Sequence, residues 1–279
     1  MALTPTASVM AEAAAAGRGV GAFNVIQLEH AYALVAGAER AGTPVILQIS
    51  ENAVKYHQGR LEPIAAATLA VARTSTVPVA VHLDHATRPE LVAEAVELGF
   101  GSVMFDASAL PYEENVARTA EVAERCRAAG VFVEAELGEV GGKDGVHAPG
   151  ARTDPEQARA YVAATGVDAL AIAVGTSHAM LDKSAALDLE LIAANRAALS
   201  VPLVLHGSSG VPEPDLARAV TAGITKVNIA TALNQAFTAA VRAYLAENPS
   251  VVDTRKYLAP GRDAVTVEVA RLLGVLRAG

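Results

Sequence analysis

PVAVHLDHATRPELVAEAVELGFGSVMFD, residues 78–106, passes from one apolar β-type segment through an amphipathic helical one into a second β-type segment. Pro78 stands at a strand start, where a missing N–H is tolerated. Pro78–Asp84 and Gly101–Asp106 are nearly continuous in apolar residues, as strands buried on both faces must be. Arg88–Leu98 between them has helical spacing, and Gly99 follows where a left-handed cap wants glycine. A helix joining two such strands is the crossover that parallel pairing needs.

The same unit recurs in both directions. β-type runs are Val20–Val25, Pro44–Ser50, Pro78–Asp84, Gly101–Asp106, Val131–Leu137, Asp168–Val174, Val201–His206 and Thr225–Ala230. The helical stretches are Glu29–Ala41, Leu61–Thr74, Arg88–Leu98, Glu113–Ala129, Asp154–Thr165, Leu187–Ala198, Glu213–Ala222 and Thr231–Glu247. Gly42, Gly130, Gly166 and Gly223 repeat the cap signal of Gly99. Eight βα units in order predict an α/β fold, a closed (β/α)8 TIM barrel of roughly 250 residues. The chain's 279 residues then form one domain, 1–279. Extra helices are expected at the N-terminus, closed by Gly17, and at the C-terminus, Val265–Leu276. A doubly wound open sheet is the runner-up. Its dinucleotide fingerprint would have to be Gly17-Arg18-Gly19-Val20-Gly21, which precedes the first strand instead of following it.

Composition removes whole classes of function. Apolar residues are 52% and charged residues 19%, so a disordered chain is excluded. The net charge is −8 with no basic run, which argues against nucleic acid and anionic membranes as partners. An anionic ligand must therefore be held by local devices such as helix N-termini and backbone N–H groups. The single Cys126 cannot form an internal disulfide, so a reducing cytoplasm is expected. The Ala-rich start has no Lys or Arg ahead of it and makes a poor signal peptide. No apolar run approaches the ~20 residues of a membrane helix.

In such a barrel the chemistry sits at the C-terminal ends of the strands. Those ends carry Asn24, Ser50, Asp84-His85, Glu136, His178, His206 and Asn228-Ile229-Ala230-Thr231. His85, His178 and His206 fall on one rim, and three histidines with an open position suit a catalytic zinc. Glu136 reads equally as an oxygen ligand or as a carboxylate supporting a ligand. Asp84 is placed to take a proton from a carbon that a metal acidifies, although strand neighbours normally face opposite ways. His82 lies deeper and reads as structural. Gly207-Ser208-Ser209-Gly210 and residues 228–231 follow strands seven and eight, the usual phosphate site of this fold. Thr231 also reads as a helix N-cap.

Together these residues resemble the class II (zinc-dependent) fructose-bisphosphate and tagatose-bisphosphate aldolases. The matching strings are AFNV (22–25), HLDHA (82–86), LGFGSVMFD (98–106), LPYEEN (110–115), VEAELG (133–138), VLHG (204–207) and TKVNIAT (225–231). They span nearly the whole chain in order. The resemblance implies that Asp84 transfers the proton and that His85, His178 and His206 hold zinc. It implies that Ala179, Gly207, Ser208, Ser209, Asn228, Ile229, Ala230 and Thr231 cradle dihydroxyacetone phosphate, with Asn24 among the substrate contacts. Asn228 also faces the enediolate, and Ser50 and Arg255 reach the second phosphate. A monovalent cation, Na+ or K+, is implied near the phosphate. The implied reaction is reversible cleavage of a ketose 1,6-bisphosphate, fructose or tagatose, to dihydroxyacetone phosphate and an aldehyde, through an enediolate that zinc stabilises. No Schiff-base lysine is needed, and Lys226 lies near the start of strand eight, away from the mouth. A homo-oligomer, dimer or tetramer, is the expected state.

Three positions depart from the family pattern. Ala179 stands where glycine usually follows the second zinc histidine. The loop that in the family carries acidic residues after Gly-Gly, one of which protonates the aldehyde oxygen, reads Gly141-Gly142-Lys143-Asp144-Gly145-Val146-His147 and is one residue shorter than usual, with Asp144 or His147 as the candidate general acid. Ala232-Leu233-Asn234 follows Thr231 where an acidic residue is common. Two alternatives stand beside this reading, the first motivated by the altered loop after strand five, the second by tagatose-type systems and opposed by the intact Asp84 and histidine set. One is a related dihydroxyacetone-phosphate-dependent aldolase or epimerase with another sugar phosphate or aldehyde. The other is a subunit without turnover that stabilises another aldolase chain.

Overall fold

The computed structural model describes residues 3–137, 152–176 and 185–277. Eight parallel strands close into a barrel in chain order: β1 Val20–Asn24, β2 Val45–Ser50, β3 Val79–Ala86, β4 Ser102–Phe105, β5 Phe132–Leu137, β6 Ala169–Ile172, β7 Leu203–Leu205 and β8 Ile224–Ile229. β1 closes on β8 with Val20 opposite Lys226 and Ala22 opposite Asn228. The helices are α1 Thr6–Ala15, α2 Leu28–Ala41, α3 Glu51–Tyr56, α4 Glu62–Ala72, α5 Pro89–Glu97, α6 Tyr112–Ala128, α7 Pro155–Thr165, α8 Leu189–Ala198, α9 Glu213–Ala222, α10 Thr231–Glu247 and α11 Thr254–Arg277. Gly42 and Gly166 cap α2 and α7 in the left-handed conformation the sequence demanded.

The large core lies between the sheet and the outer helices and is built from Val, Leu, Ile and Ala. The inside of the barrel is different. At its lower end α1 packs Val9, Met10 and Ala13 against Val20, Ala22, Ile46 and Ala80. Small residues there and at Ala169 and Ala171 leave room for a buried polar layer of His82, Ser102, Glu134, His206 and Lys226. No helix among the described residues is long and apolar enough to cross a membrane.

Three expectations change. Glu51–Tyr56 forms a short helix, α3, capped by Ser50, whose Oγ accepts from the Ala53 N–H at 3.2 Å. The C-terminal helix begins at Thr254, eleven residues before Val265, and runs through Pro260. Thr231 is the first residue of α10, not its cap; the cap position is Ala230, and no side chain closes it.

α2 and α11 meet at Gly37, where an added Cβ would lie 2.7 Å from the Val269 Cβ and 2.9 Å from the Thr266 carbonyl oxygen. Backbone cannot yield as a flexible side chain does. Gly37→Ala is expected to destabilise the fold by about 1–3 kcal/mol through overpacking, despite alanine's better helix propensity. Urea unfolding measures this, and an unchanged or raised stability would show that the two helices are not held this closely.

Candidate active site

Asp84 and His85 are consecutive, yet both reach the barrel mouth. The cause is local: His85 has φ +49°, and the β3–β4 register shifts between Leu83 and Ala86. A histidine in the left-handed region costs of order 1–3 kcal/mol, so the surroundings must hold it there. Asp106, just past β4, does so. Its Oδ2 accepts from the His85 Nδ1–H at 2.8 Å, and its Oδ1 takes the Ser108 N–H and hydroxyl. The next turn is anchored by Glu51 at the start of α3. Its Oε2 accepts from the Thr87 N–H at 2.7 Å and its Oε1 from Arg88 Nε at 3.3 Å.

His206 follows β7, its ring wholly buried. Its Nε2 lies 2.9 Å from Glu134 Oε1, and its Nδ1 lies 2.9 Å from His85 Nε2. Ionised carboxylates only accept, so the nitrogens facing Asp106 and Glu134 carry the hydrogens. The two facing nitrogens of His85 and His206 therefore both present lone pairs. Burial and the neighbouring His85 keep His206 neutral, its pKa pushed down to about 4. Two lone pairs this close repel unless a cation lies with them, and imidazole nitrogens backed by carboxylates are the usual donors to zinc. The donor set fits a metal ion on that observation. Asp84, His85 and His206 lie close enough to share one ion, and so do His85, Asp106 and Glu136. Glu136 Oε2 is 3.7 Å from His206 Nδ1.

Asp84 is buried, with Oδ1 4.0 Å from His85 Nε2. Burial alone would raise its carboxyl; His85, His206, Lys226 and His82 outweigh that and hold it below the ordinary range. Asn228 of β8 donates from Nδ2 to Asp84 Oδ1 at 3.2 Å. Its Oδ1 has no hydrogen-bond partner among the described residues. Gly207, in the left-handed conformation, starts a single 3-10 turn over Ser208–Gly210. Ser208 Oγ donates to the Asn228 carbonyl and Ser209 Oγ accepts from the Ala232 N–H at 3.4 Å, so the two loops assigned to phosphate are tied together.

The remaining assigned residues divide. Asn24 Oδ1 accepts from Gln48 Nε2 at 2.7 Å at the end of β1. Ser50 caps α3 next to Asp84, its register partner. Arg255 is 89% exposed on the first turn of α11 and forks onto Asp253 at 3.0 and 2.9 Å. His178, Ala179 and the Gly141–His147 loop lie outside the described residues. Sequence reasoning gave no role to Asp106, Glu134 or Glu51. The signal for Glu134 was present, since it shares its strand face with Glu136. Lys226 is on the lower half of β8, as expected, but points inside the barrel, where its Nζ lies 2.7 Å from Glu134 Oε2.

A closed (β/α)8 barrel with a histidine–carboxylate cluster at the C-terminal mouth of its strands is the architecture of a metal-dependent barrel enzyme. Residues 4–279 match the family model "Fructose-bisphosphate aldolase class-II". A fructose-bisphosphate aldolase of Geobacillus stearothermophilus is 41% identical over 272 residues, covering 96% of this chain and 95% of that one. Among solved structures, the YdjI aldolase of Escherichia coli K12 superposes with TM-score 0.84 at 32% identity, covering 98% and 97% of the two chains. The fructose-bisphosphate aldolase of Campylobacter jejuni superposes with TM-score 0.80 at 25% identity, covering 96% and 93%. The chain belongs to the class II fructose-bisphosphate aldolase family, and it is a metal-dependent aldolase, a carbon–carbon lyase.

Proposed function

We propose that this enzyme reversibly cleaves a ketose 1,6-bisphosphate, fructose or tagatose, to dihydroxyacetone phosphate and an aldehyde, using zinc held by His85, His178 and His206. The observation that carries the reading is that His85 Nε2 and His206 Nδ1 face each other 2.9 Å apart, each ring backed by its own carboxylate. Bound zinc would draw charge from the ketone oxygen and so acidify the neighbouring carbon.

The chain's own residues do the rest. Asp84 is charged and acceptor-only at neutral pH, and moves the proton between that carbon and its own carboxylate. Asn228 holds Asp84 Oδ1 through its Nδ2, and its own Oδ1, without a partner among the described residues, is the atom left to face the enediolate. The Gly207–Ser209 turn and residues 228–231 at the start of α10 receive the phosphate, which a helix N-terminus and its backbone N–H groups favour. Na+ or K+ beside that phosphate, Ser50 and Arg255 toward the second phosphate, and Glu136 beside the metal complete the assignment. The assembly that completes this reading is a dimer or tetramer, for which exposed Leu28 and Tyr32, one turn apart on α2, offer an apolar contact. Buried Cys126, its thiol pushed up to about 11, suits a reducing cytoplasm.

The test combines metal analysis with cleavage of fructose 1,6-bisphosphate and tagatose 1,6-bisphosphate, with and without chelator. Stoichiometric zinc and chelator-sensitive cleavage of either sugar are the expected results. A chain without zinc, or cleavage indifferent to chelator, would end this reading. Bound zinc with neither sugar cleaved would move the substrate to another aldehyde partner of dihydroxyacetone phosphate.

A further inference from the structure

We propose that Lys226 is a positioning residue for the metal site, acting through Glu134 on the ring of His206. The proposal rests on the metal reading given above. Glu134 meets two donors with its two oxygens: Oε2 takes Lys226 Nζ at 2.7 Å and Oε1 takes His206 Nε2 at 2.9 Å. All three side chains are at most 1% exposed, so water cannot orient the ring of His206 in their place. With Oε2 fixed by the ammonium, Oε1 is aimed at Nε2, and Nδ1 is left pointing at His85 Nε2.

Lys226 is itself held from below. Its Nζ lies 3.5 Å from His82 Nε2; an ammonium only donates, so this nitrogen accepts and His82 Nδ1–H meets Ser102 Oγ at 2.8 Å. Ser102 Oγ in turn accepts from Thr6 Oγ1 at 2.7 Å, at the start of α1. A continuous polar row thus runs from the helix that closes the lower end of the barrel to the mouth.

A buried polar row of this kind is weak evidence for a stabilising role. Apolar side chains ordinarily fill such a barrel interior, and replacing a buried ion pair by apolar groups is often neutral or stabilising. What an apolar filling cannot do is present an anchored carboxylate to a ligand histidine. Carboxylates in that relation typically change metal affinity by 10–100-fold when lost.

The experiment uses the full chain, stripped and titrated with Zn2+ against a chromophoric chelator, and with Co2+ read by its visible absorption. Variants are K226M, E134Q and the double variant. K226M is expected to weaken Zn2+ binding about 10–100-fold and to alter the Co2+ bands. E134Q should do at least as much, because its one amide oxygen faces two donors. The double variant should be no weaker than the worse single one, since the two residues act as a unit. It also removes both charges together, so it remains informative if K226M, with its stranded buried carboxylate, fails to fold. Wild-type Zn2+ affinity and Co2+ bands in the folded variants, even with a lowered melting temperature, would overturn the proposal and leave the pair purely structural. A wild-type chain that binds no Zn2+ would instead overturn the metal reading itself, and this inference with it.

Discussion

Asp84→Asn is expected to lower the cleavage rate by about 10²–10⁴-fold, the usual worth of a positioned general base, with fold and zinc content unchanged. Asparagine keeps the shape of the side chain and the oxygen that accepts from Asn228 Nδ2 at 3.2 Å. It removes the one property the reaction needs, the capacity to take a proton. The native carboxyl is suited to that task by its surroundings. Burial would push it up, but His85, His206 and Lys226 hold it below the ordinary carboxylate range, so it is charged at neutral pH.

Two readouts separate this from a loss of metal. Zinc content should be unchanged, since the nitrogens of His85 and His206 are held by Asp106 and Glu134 and not by Asp84. Exchange of the dihydroxyacetone phosphate α-proton with solvent, followed by NMR, should fall in parallel with cleavage, because both need the same proton transfer. A variant that cleaves and exchanges at the wild-type rate would remove Asp84 from the proton's path. One that fails only because its zinc is gone would make Asp84 a metal ligand instead, as its proximity to His85 and His206 permits.

How much of this was legible in the sequence depends on range. The eight strands fell within a few residues of Val20–Asn24 through Ile224–Ile229, because strands buried on both faces announce themselves as Val- and Ile-rich runs. α3 carries no such signal, because Glu51–Tyr56 is too short to show a helical period. α11 starts eleven residues before the expected Val265 and carries Pro260-Gly261 in its interior, a pair of poor helix formers. The helix continues through it, and Gly261 lets Phe237 of α10 lie where a Cβ would be 2.8 Å away. Asp84 and His85 could be named from their place at a strand end. The turn of His85 into positive φ, which brings both to the mouth, is set by Asp106 some twenty residues later. Glu134 and Lys226 sit on strands three apart in sequence order, and only barrel closure brings them together. Sequence spacing carries no signal for a contact across the barrel.

Acid is expected to unfold the metal-free protein from the histidines first, and His30 supplies the cleanest share. It lies on α2, buried, with its ring centroid 5.4 Å from that of Phe237. Neither ring nitrogen has a hydrogen-bond partner among the described residues, and burial pushes its pKa down to about 4. In the unfolded chain the same group titrates near 6.5. Between these values the unfolded state binds more protons, so stability is complete above about pH 6.5 and is lost as the pH falls toward 4. From pH 7 to pH 5 this linkage amounts to about 2 kcal/mol for His30. His82, pushed down to about 3, and His206, pushed down to about 4, act in the same direction. Asp84 and Glu134 do not interfere in that window. Their carboxyls are held low against the opposing effect of burial, so their contribution is lost only as the pH falls below the ordinary carboxylate range. Urea unfolding of wild type and His30→Leu at pH 7 and pH 5 isolates the term. The wild type should lose about 2 kcal/mol more than the variant over that interval. At pH 7 the variant should be no less stable, since leucine fills the site without stranding a polar atom. Parallel losses in the two proteins would mean that His30 is solvated or paired in the folded state.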